Sequence, residues 1–286
     1  MAFSTICWGK SLHMIVYWLF VAVAALVIVA LIGQPLWRAR RRRRRMNGEL
    51  AADRRELLER KLPLYARLPA GLKPRLHGLI NAFIAEKKFL GCAGQGIDDE
   101  VRLLIAAQAC LLVLNRELGF FDELETILVY PSSFLVDEEY ADTTGVVTSA
   151  RHELLGQAWD AHQIVLSWED VLEDATAGHP EQNVVLHEFA HQLDQAGGPA
   201  DGAPPLRNRS QYTRWSAVLQ AAYETLCEQI ERGAVPFMDE YGASDPAEFF
   251  AVATETFFID APHLQRTQPA LYHELEVLYG VDPAGW

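Results

Sequence analysis

The sequence has only four cysteines, and no two of them form a C-x-x-C pair. They are scattered along the chain as Cys7, Cys92, Cys110 and Cys227. Disulfide scaffolds and cysteine-rich zinc sites need closely spaced cysteines, so the sequence excludes both. It also lacks an internal repeat and an inner linker long enough to separate two domains. The scattered cysteines are compatible with a reducing compartment.

Acidic residues are absent from the first 45 positions, although the chain contains 38 of them. Residues 46–286 therefore carry 17 basic and 38 acidic side chains, a formal charge of −21. A body this acidic repels phosphate backbones, so we expect no direct binding to nucleic acid. Acidic excess usually serves solubility, and a docking surface for basic proteins is the less favoured alternative.

Charged residues are also absent from "MIVYWLFVAVAALVIVALIG", residues 14–33. At about 1.5 Å per residue this stretch can cross a hydrocarbon core of about 30 Å, so it predicts a transmembrane helix behind an N-terminal tail over residues 1–13. Seven arginines follow in residues 37–45, within a predicted juxtamembrane linker over residues 34–55.

The arginines set the expected orientation of that helix. By the positive-inside rule they stay cytoplasmic, which predicts a single-pass protein of the bacterial inner membrane with a cytoplasmic body. A buried core helix is the structural alternative to the membrane span. If translation instead starts at Met46, the protein would be soluble and cytoplasmic.

Changes in hydrophobic period divide the rest of the chain into helices and short strands. Residues 75–90 and 98–119 show helical periodicity. This periodicity resumes after residue 183, where it predicts helices near 210–232, 246–260 and 268–279. Between them, the β-branched and aromatic runs "ETILVYPSSFLV", "GVVTS" and "HQIVLSW" predict strands. We therefore predict one α+β domain over residues 56–286, mostly helical with a small mixed sheet.

The stretch "VVLHEFAHQLD", residues 184–194, carries the strongest chemical signal. His187 and His191 are four residues apart, so on a helix their rings share one face and can reach a single ion. Most of the remaining side chains are apolar, which predicts a buried helix in which a polar pair needs partners. Two hydrogen-bonded histidines on an ordinary helix are the structural alternative. The H-E-x-x-H spacing, with Glu188 as general base, favours one Zn²⁺ ion per chain.

A catalytic zinc ion keeps three protein ligands and one open position, so one ligand must come from elsewhere. A glycine stands where one zinc-peptidase subclass has a third histidine, six residues after His191, which excludes that subclass. We expect the third ligand in the acidic, helical stretch 239–258. Glu248 and Glu255 are seven residues apart and share a face there. The spacing favours Glu248 as the third ligand, because it lies in the rigid first turn, and Glu255 remains the alternative.

Each acidic candidate also has a structural explanation. Glu248 follows "SDPA" with the spacing of a capping box, so it could serve only the start of its own helix. Glu255 could be solvated. Asp194, seven residues after His187, could accept a hydrogen bond from a ligand imidazole or be an ordinary exposed residue.

Four blocks of sequence, in order within residues 56–286, resemble the MtfA family (Mlc titration factor A), zinc metallopeptidases of the gluzincin kind. The blocks are "LVYPSSFLVD" (128–137), "GQAWDAHQIVLSWEDV" (156–171), "NVVLHEFAHQLD" (183–194) and "YGASDPAEFFAVATETFF" (241–258). The resemblance implies a zincin-like metallopeptidase fold and an activity similar to that of an aminopeptidase on peptide or protein substrates.

The resemblance also implies roles for individual residues. His187 and His191 match the zinc-binding histidines of the family, and Glu248 matches its third ligand. Glu188 matches the general base and Tyr241 a tyrosine that assists the reaction, while Glu255 is left either as a residue that supports the site or as part of the core of its helix.

The resemblance further implies a transcriptional repressor of the Mlc type as a partner. A second hypothesis is therefore a binding protein that captures such a regulator at the membrane, with catalysis secondary. The intact Glu188 argues against a protein that only binds, because binding has no need of a base.

Overall fold

A computed structural model describes residues 5–116, 121–132, 162–177, 182–196 and 198–286. The chain separates into two compact units, Met1–Asn47 and Gly48–Trp286. In the first unit, helix α1 spans Thr5–Met46.

The predicted transmembrane helix over residues 14–33 lies within α1. In the described part of the chain, however, no helix combines the length and the apolar character that a bilayer crossing requires. The predicted membrane span is therefore not supported.

The second unit is mostly helical, as predicted. Its helices are α2 (Ala52–Lys61), α3 (Pro63–Arg67), α4 (Lys73–Glu86), α5 (Asp99–Leu111), α6 (Trp168–Thr176), α7 (Val184–Gln195), α8 (Arg209–Glu231), α9 (Pro246–Ile259), α10 (Ala261–Thr267) and α11 (Pro269–Tyr279). Short 3₁₀ turns lie at Glu240–Ala243 and Pro283–Gly285. The helices predicted near 210–232, 246–260 and 268–279 are thus confirmed as α8, α9 and α11.

Three strands form the described sheet in the order β1 (Lys88–Gly91), β2 (Thr126–Tyr130) and β3 (Gln163–Ser167). Both pairs are parallel, so the prediction of a mixed sheet is wrong for the strands that the structure describes. Parallel neighbours need a crossover, and α5 supplies one between β1 and β2. The strand predicted at residues 145–149 lies outside the described residues.

The stretch 75–90, predicted as helical throughout, instead contains all but the first two residues of α4 and most of β1. Lys87 separates the two elements: its backbone is extended and its side chain is buried. The Lys87 ammonium donates hydrogen bonds to the backbone carbonyls of Phe121 and Leu124. These acceptors lie far along the chain, so helical periodicity could not reveal that the helix ends here.

The predicted helix over residues 98–119 also ends early, as α5, at Leu111. The N–H groups of Leu112 and Leu114 bond to carbonyls three residues back, at 3.3 Å and 3.2 Å. Such bonds tighten a last helical turn and end the α-helical pattern.

Two helix starts position the residues of interest. At the start of α7, the Asn183 side chain accepts a hydrogen bond from the N–H of Leu186 at 2.9 Å. At the start of α9, Asp245 Oδ1 accepts from the N–H groups of Ala247 and Glu248, at 2.8 Å and 3.0 Å. Such caps fix the first helical turn. Helix α9 packs against α7 and is largely buried, so the two capped helices lie side by side.

Candidate metal centre

Three side chains from α7 and α9 bring their polar atoms together. Nε2 of His187 and Nε2 of His191 are 3.1 Å apart. Oε2 of Glu248 lies 3.0 Å from Nε2 of His187 and 3.4 Å from Nε2 of His191. These three residues form a cluster that could hold a metal ion. The Glu248 side chain therefore points to the histidines and not back to its own helix start.

The spacing of the cluster fits a tetrahedral ion. With metal–ligand distances of about 2.0–2.2 Å, neighbouring ligand atoms of a tetrahedral site are about 3.4 Å apart. The observed separations of 3.0 Å to 3.4 Å lie close to that value. Oε2 of Glu248 is also buried without a hydrogen-bond partner, which is costly for a carboxylate oxygen. A divalent cation between the three atoms would remove that cost.

Glu255 contacts the other nitrogen of the His187 ring. Its Oε1 lies 2.7 Å from Nδ1 of His187, and its Oε2 accepts a hydrogen bond from the N–H of Asn183 at 2.5 Å. A carboxylate at Nδ1 favours the tautomer with the proton on Nδ1. The lone pair of Nε2 then faces the cluster, as a metal ligand requires.

The polar network continues into the core through residues that sequence reasoning missed. The Asn183 side-chain amide donates to Oε1 of Gln108 at 2.7 Å, and Gln108 donates to the carbonyl of Leu104 at 3.1 Å. Signals for both residues were present in the sequence. Asn183 directly precedes an apolar helix, as N-caps do, and Gln108 is a polar residue inside the apolar run "AAQACLLVL".

The electrostatics of the cluster favour positive charge. Burial alone would lower the pKa of His187, but Glu248 and Glu255 outweigh it and raise that pKa to about 10. Burial likewise opposes ionisation of Glu248, yet the two histidines hold the pKa of its carboxyl well below the usual range. The cluster thus attracts either a proton or a metal cation.

Tyr241 and Glu188 lie at the edge of the cluster. The ring centroids of Tyr241 and His187 are 6.1 Å apart, and Asp239 fixes the Tyr241 backbone by accepting its N–H at 2.8 Å. Burial, followed by the charge of Glu248, raises the pKa of Tyr241, so its hydroxyl stays a hydrogen-bond donor. The charge of half-buried Glu188 contributes to the raised pKa of both Tyr241 and His187. Its carboxylate is therefore within electrostatic reach of both.

Asp194 is buried, but its hydrogen bond goes to a loop. Its Oδ2 accepts the N–H of Gly202 at 2.7 Å, while its Oδ1 has no hydrogen-bond partner. Among the described residues we find no hydrogen bond from Asp194 to His191. Burial raises the pKa of Asp194 to about 6, and the charge of His191 acts in the opposite direction. The two groups thus interact through charge.

Gly202 connects three elements around the cluster. Its N–H bonds to Asp194 on α7, and its carbonyl accepts the indole N–H of Trp215 on α8 at 2.8 Å. Its φ is +78°, and a Cβ at this position would lie 2.4 Å from the carbonyl oxygen of Pro246 at the start of α9. The first turn of α9, which carries Glu248, therefore rests directly on this glycine.

We expect Gly202→Ala to weaken metal binding as well as folding. The left-handed backbone alone costs an alanine about 1–2 kcal/mol, and the methyl group must also push Pro246 away, which displaces Glu248. Urea unfolding and a competition titration with a metal-binding dye measure the two effects.

Gly233→Ala is the matched control, because Gly233 also has a positive φ (+62°) but nothing lies within 4 Å of its Cβ position. Equal metal affinity in the two variants would show that Gly202 does not position Glu248.

Comparisons with known proteins identify the relatives of this chain. A model of the family described as glucose-regulated metallo-peptidase M90 matches residues 36–280. The protein slr2042 of Synechocystis sp. is 37% identical over 258 residues, which cover 90% of this chain and 94% of the relative. Mlc titration factor A of Salmonella agona is 34% identical over 229 residues, covering 78% and 84%. Mlc titration factor A of Cronobacter sakazakii is 33% identical over 225 residues, also covering 78% and 84%.

Proposed function

We propose that this chain hydrolyses peptide bonds with a zinc ion. The proposal starts from the fact that the chain belongs to the family of glucose-regulated metallo-peptidases M90. The family makes the chain a metallopeptidase, and the resemblance to the MtfA family is confirmed. The observation that carries the finer proposal is the convergence of His187, His191 and Glu248 within 3.0 Å to 3.4 Å of one another.

In this proposal His187, His191 and Glu248 would hold the ion. Two imidazoles and a carboxylate suit zinc, although other divalent metals accept the same donors. When bound, the ion supplies a lowered water pKa and polarisation of the scissile carbonyl. Glu255 keeps the His187 ring in the tautomer and orientation that binding needs.

Two further side chains act on protons. Glu188 accepts a proton from the attacking water and later delivers it to the leaving amine, which is general acid–base catalysis. The Tyr241 hydroxyl, kept protonated, donates a hydrogen bond to the oxyanion that develops on the substrate. Asp239 supports this by fixing the Tyr241 backbone, and Asp194 acts at a distance through its charge and its bond to Gly202.

For the substrate we propose a peptide with a free amino terminus. Strand β3 lies at the edge of the described sheet and leads directly into α6. An extended substrate can pair with such an edge through backbone hydrogen bonds, which requires no particular side chain. An aminopeptidase with broad side-chain tolerance is consistent with this mode of binding.

Metal removal tests the proposal. We expect the full-length protein to contain about one zinc ion per chain and to cleave aminoacyl chromogenic peptides. Chelation should abolish cleavage, and added Zn²⁺ should restore it. Elemental analysis and release of the chromophore measure the two quantities, and an amino-blocked peptide is the control for exopeptidase activity. Stoichiometric metal without cleavage of either peptide would contradict a peptidase.

A second candidate function is capture of a regulator, because the relatives from Salmonella agona and Cronobacter sakazakii are named Mlc titration factor A. In that case the chain binds a repressor of the Mlc type through protein surface. Binding of purified Mlc to the wild type and to Glu188→Gln, measured by interferometry, separates the functions. Capture predicts equal binding by both proteins, with or without peptide cleavage.

A further inference from the structure

The side chain of Tyr223 on α8 reaches the segment that carries Tyr241. Its hydroxyl donates a hydrogen bond to the backbone carbonyl of Ala243 at 2.9 Å. Ala243 is the last residue of the 3₁₀ turn Glu240–Ala243, and Tyr241 is the second. Donor and acceptor are 20 residues apart in the sequence, so α8 holds this turn from outside it.

The ring of Tyr223 contacts the helix that follows the turn. It meets the Phe249 ring edge to face, with the two centroids 5.6 Å apart. Phe249 is buried in α9 and directly follows Glu248. Burial, followed by the charge of Cys227, raises the pKa of the Tyr223 hydroxyl, so this hydroxyl stays protonated and can donate. One side chain therefore contacts the turn through its hydroxyl and α9 through its ring.

The other end of the same turn is tied to the start of α7. Oδ1 of Asp239 accepts the N–H of Tyr241 at 2.8 Å, and Oδ2 of Asp239 accepts a hydrogen bond from the side-chain amide of Gln182 at 2.9 Å. Between the two ends, Gly242 is tightly packed, since a Cβ there would lie 2.8 Å from the terminal methyl carbon of Met238. The backbone on either side of Tyr241 is thus fixed by contacts from different helices.

We propose that Tyr223 is a positioning residue for the reaction. Its hydroxyl places the turn that carries Tyr241, and its ring supports the first turn of α9, which carries Glu248. The inference rests on the proposed function, in which the Tyr241 hydroxyl donates to the oxyanion. Such a donor is effective only at the place where the oxyanion forms, so a small displacement of the turn is costly.

A double-mutant cycle on the full-length protein tests this inference. Tyr241→Phe should lower kcat about 10²- to 10³-fold, the usual loss for one oxyanion donor. Tyr223→Phe keeps the ring and should lower kcat about tenfold, with KM and zinc affinity unchanged. In the double variant Tyr223→Phe should have no further effect on kcat, because the group that it positions is already gone.

Tyr272→Phe is the matched control for the loss of a hydroxyl. It removes a hydrogen bond to the backbone N–H of Ala284, of 3.1 Å, close to the C-terminus, and it should leave kcat at the wild-type value. Tyr223→Leu also removes the ring that packs on Phe249. It should therefore weaken zinc binding as well, by about three- to tenfold, which is less than the loss expected for a partner bonded to a ligand. A dye competition titration measures this affinity.

Hydrogen exchange adds a readout that needs no peptidase activity. The N–H groups of Gly242 and Ser244 bond to carbonyls of the turn and its cap, at 3.2 Å and 3.0 Å. They should exchange about tenfold faster in Tyr223→Phe, because local opening becomes easier, and at the wild-type rate in Tyr272→Phe. Unchanged exchange, unchanged kcat in Tyr223→Phe, or an effect that multiplies with that of Tyr241→Phe would each overturn the inference.

Failure of the proposed function gives a different pattern. A protein that cleaves no peptide contradicts the peptidase, and exchange then still shows whether Tyr223 holds the turn. Full activity of Tyr241→Phe removes the oxyanion donor from the mechanism and overturns the role of Tyr223 in the reaction with it.

Discussion

Glu188→Gln is expected to lower kcat for peptide cleavage by about 10²- to 10⁴-fold while the metal content stays unchanged. Glutamine keeps the size of the side chain but cannot take up a proton at neutral pH. Glu188 is next to His187 on α7 and is not one of the three clustered residues, so its substitution leaves the proposed ligands in place. Steady-state kinetics and elemental analysis on the same preparation measure both quantities.

Glu231→Gln is the matched control for this variant, because Glu231 is an exposed glutamate at the end of α8. It should leave kcat and metal content at wild-type values. A Glu188→Gln protein with full activity would remove the assignment of Glu188 as the base. Loss of metal together with activity would instead show that Glu188 takes part in metal binding.

Glu248→Gln and Glu255→Gln should weaken metal binding to different degrees. Loss of a hydrogen-bonding partner behind a ligand costs about 10- to 100-fold in metal affinity, which is the expectation for Glu255→Gln. Glu248→Gln removes a directly coordinating carboxylate in our proposal, so its loss should exceed that of Glu255→Gln. Competition titrations with a chromogenic chelator give both dissociation constants.

The comparison also tests the choice between the two glutamates that spacing alone left open. An affinity loss larger for Glu255→Gln than for Glu248→Gln would assign the third ligand to Glu255. Glu240→Gln is the control, because Glu240 is exposed and adjacent to Tyr241. It changes the local charge without changing the cluster, so its metal affinity should remain that of the wild type.

Local spacing predicted the two of the three clustered residues that lie on one helix. His187 and His191 are one turn apart, and any helix places such a pair on one face. The partner residues depend on how α9 packs against α7, and packing between helices leaves no fixed spacing in the sequence. Glu248 was therefore favoured only weakly from position, until the family resemblance singled it out. The contact of Glu255 with Nδ1 of His187 needed the structure.

Long-range contacts also explain the errors in the predicted fold. The end of α4 depends on Lys87 bonding to carbonyls at Phe121 and Leu124. Parallel pairing of β1 with β2 depends on α5 as a crossover. The capped and strongly periodic helices α8, α9 and α11 were predicted closely, because their signals are local.

The distance along the chain between the clustered residues has a consequence during synthesis. Glu248 follows His191 by 57 residues, and α9 must dock on α7 before the three side chains meet. A nascent chain still attached to the ribosome, with α9 not yet released, holds the histidines and the proposed base but lacks the residue that closes the cluster. The proposed hydrolytic activity therefore waits until most of the polypeptide has been made.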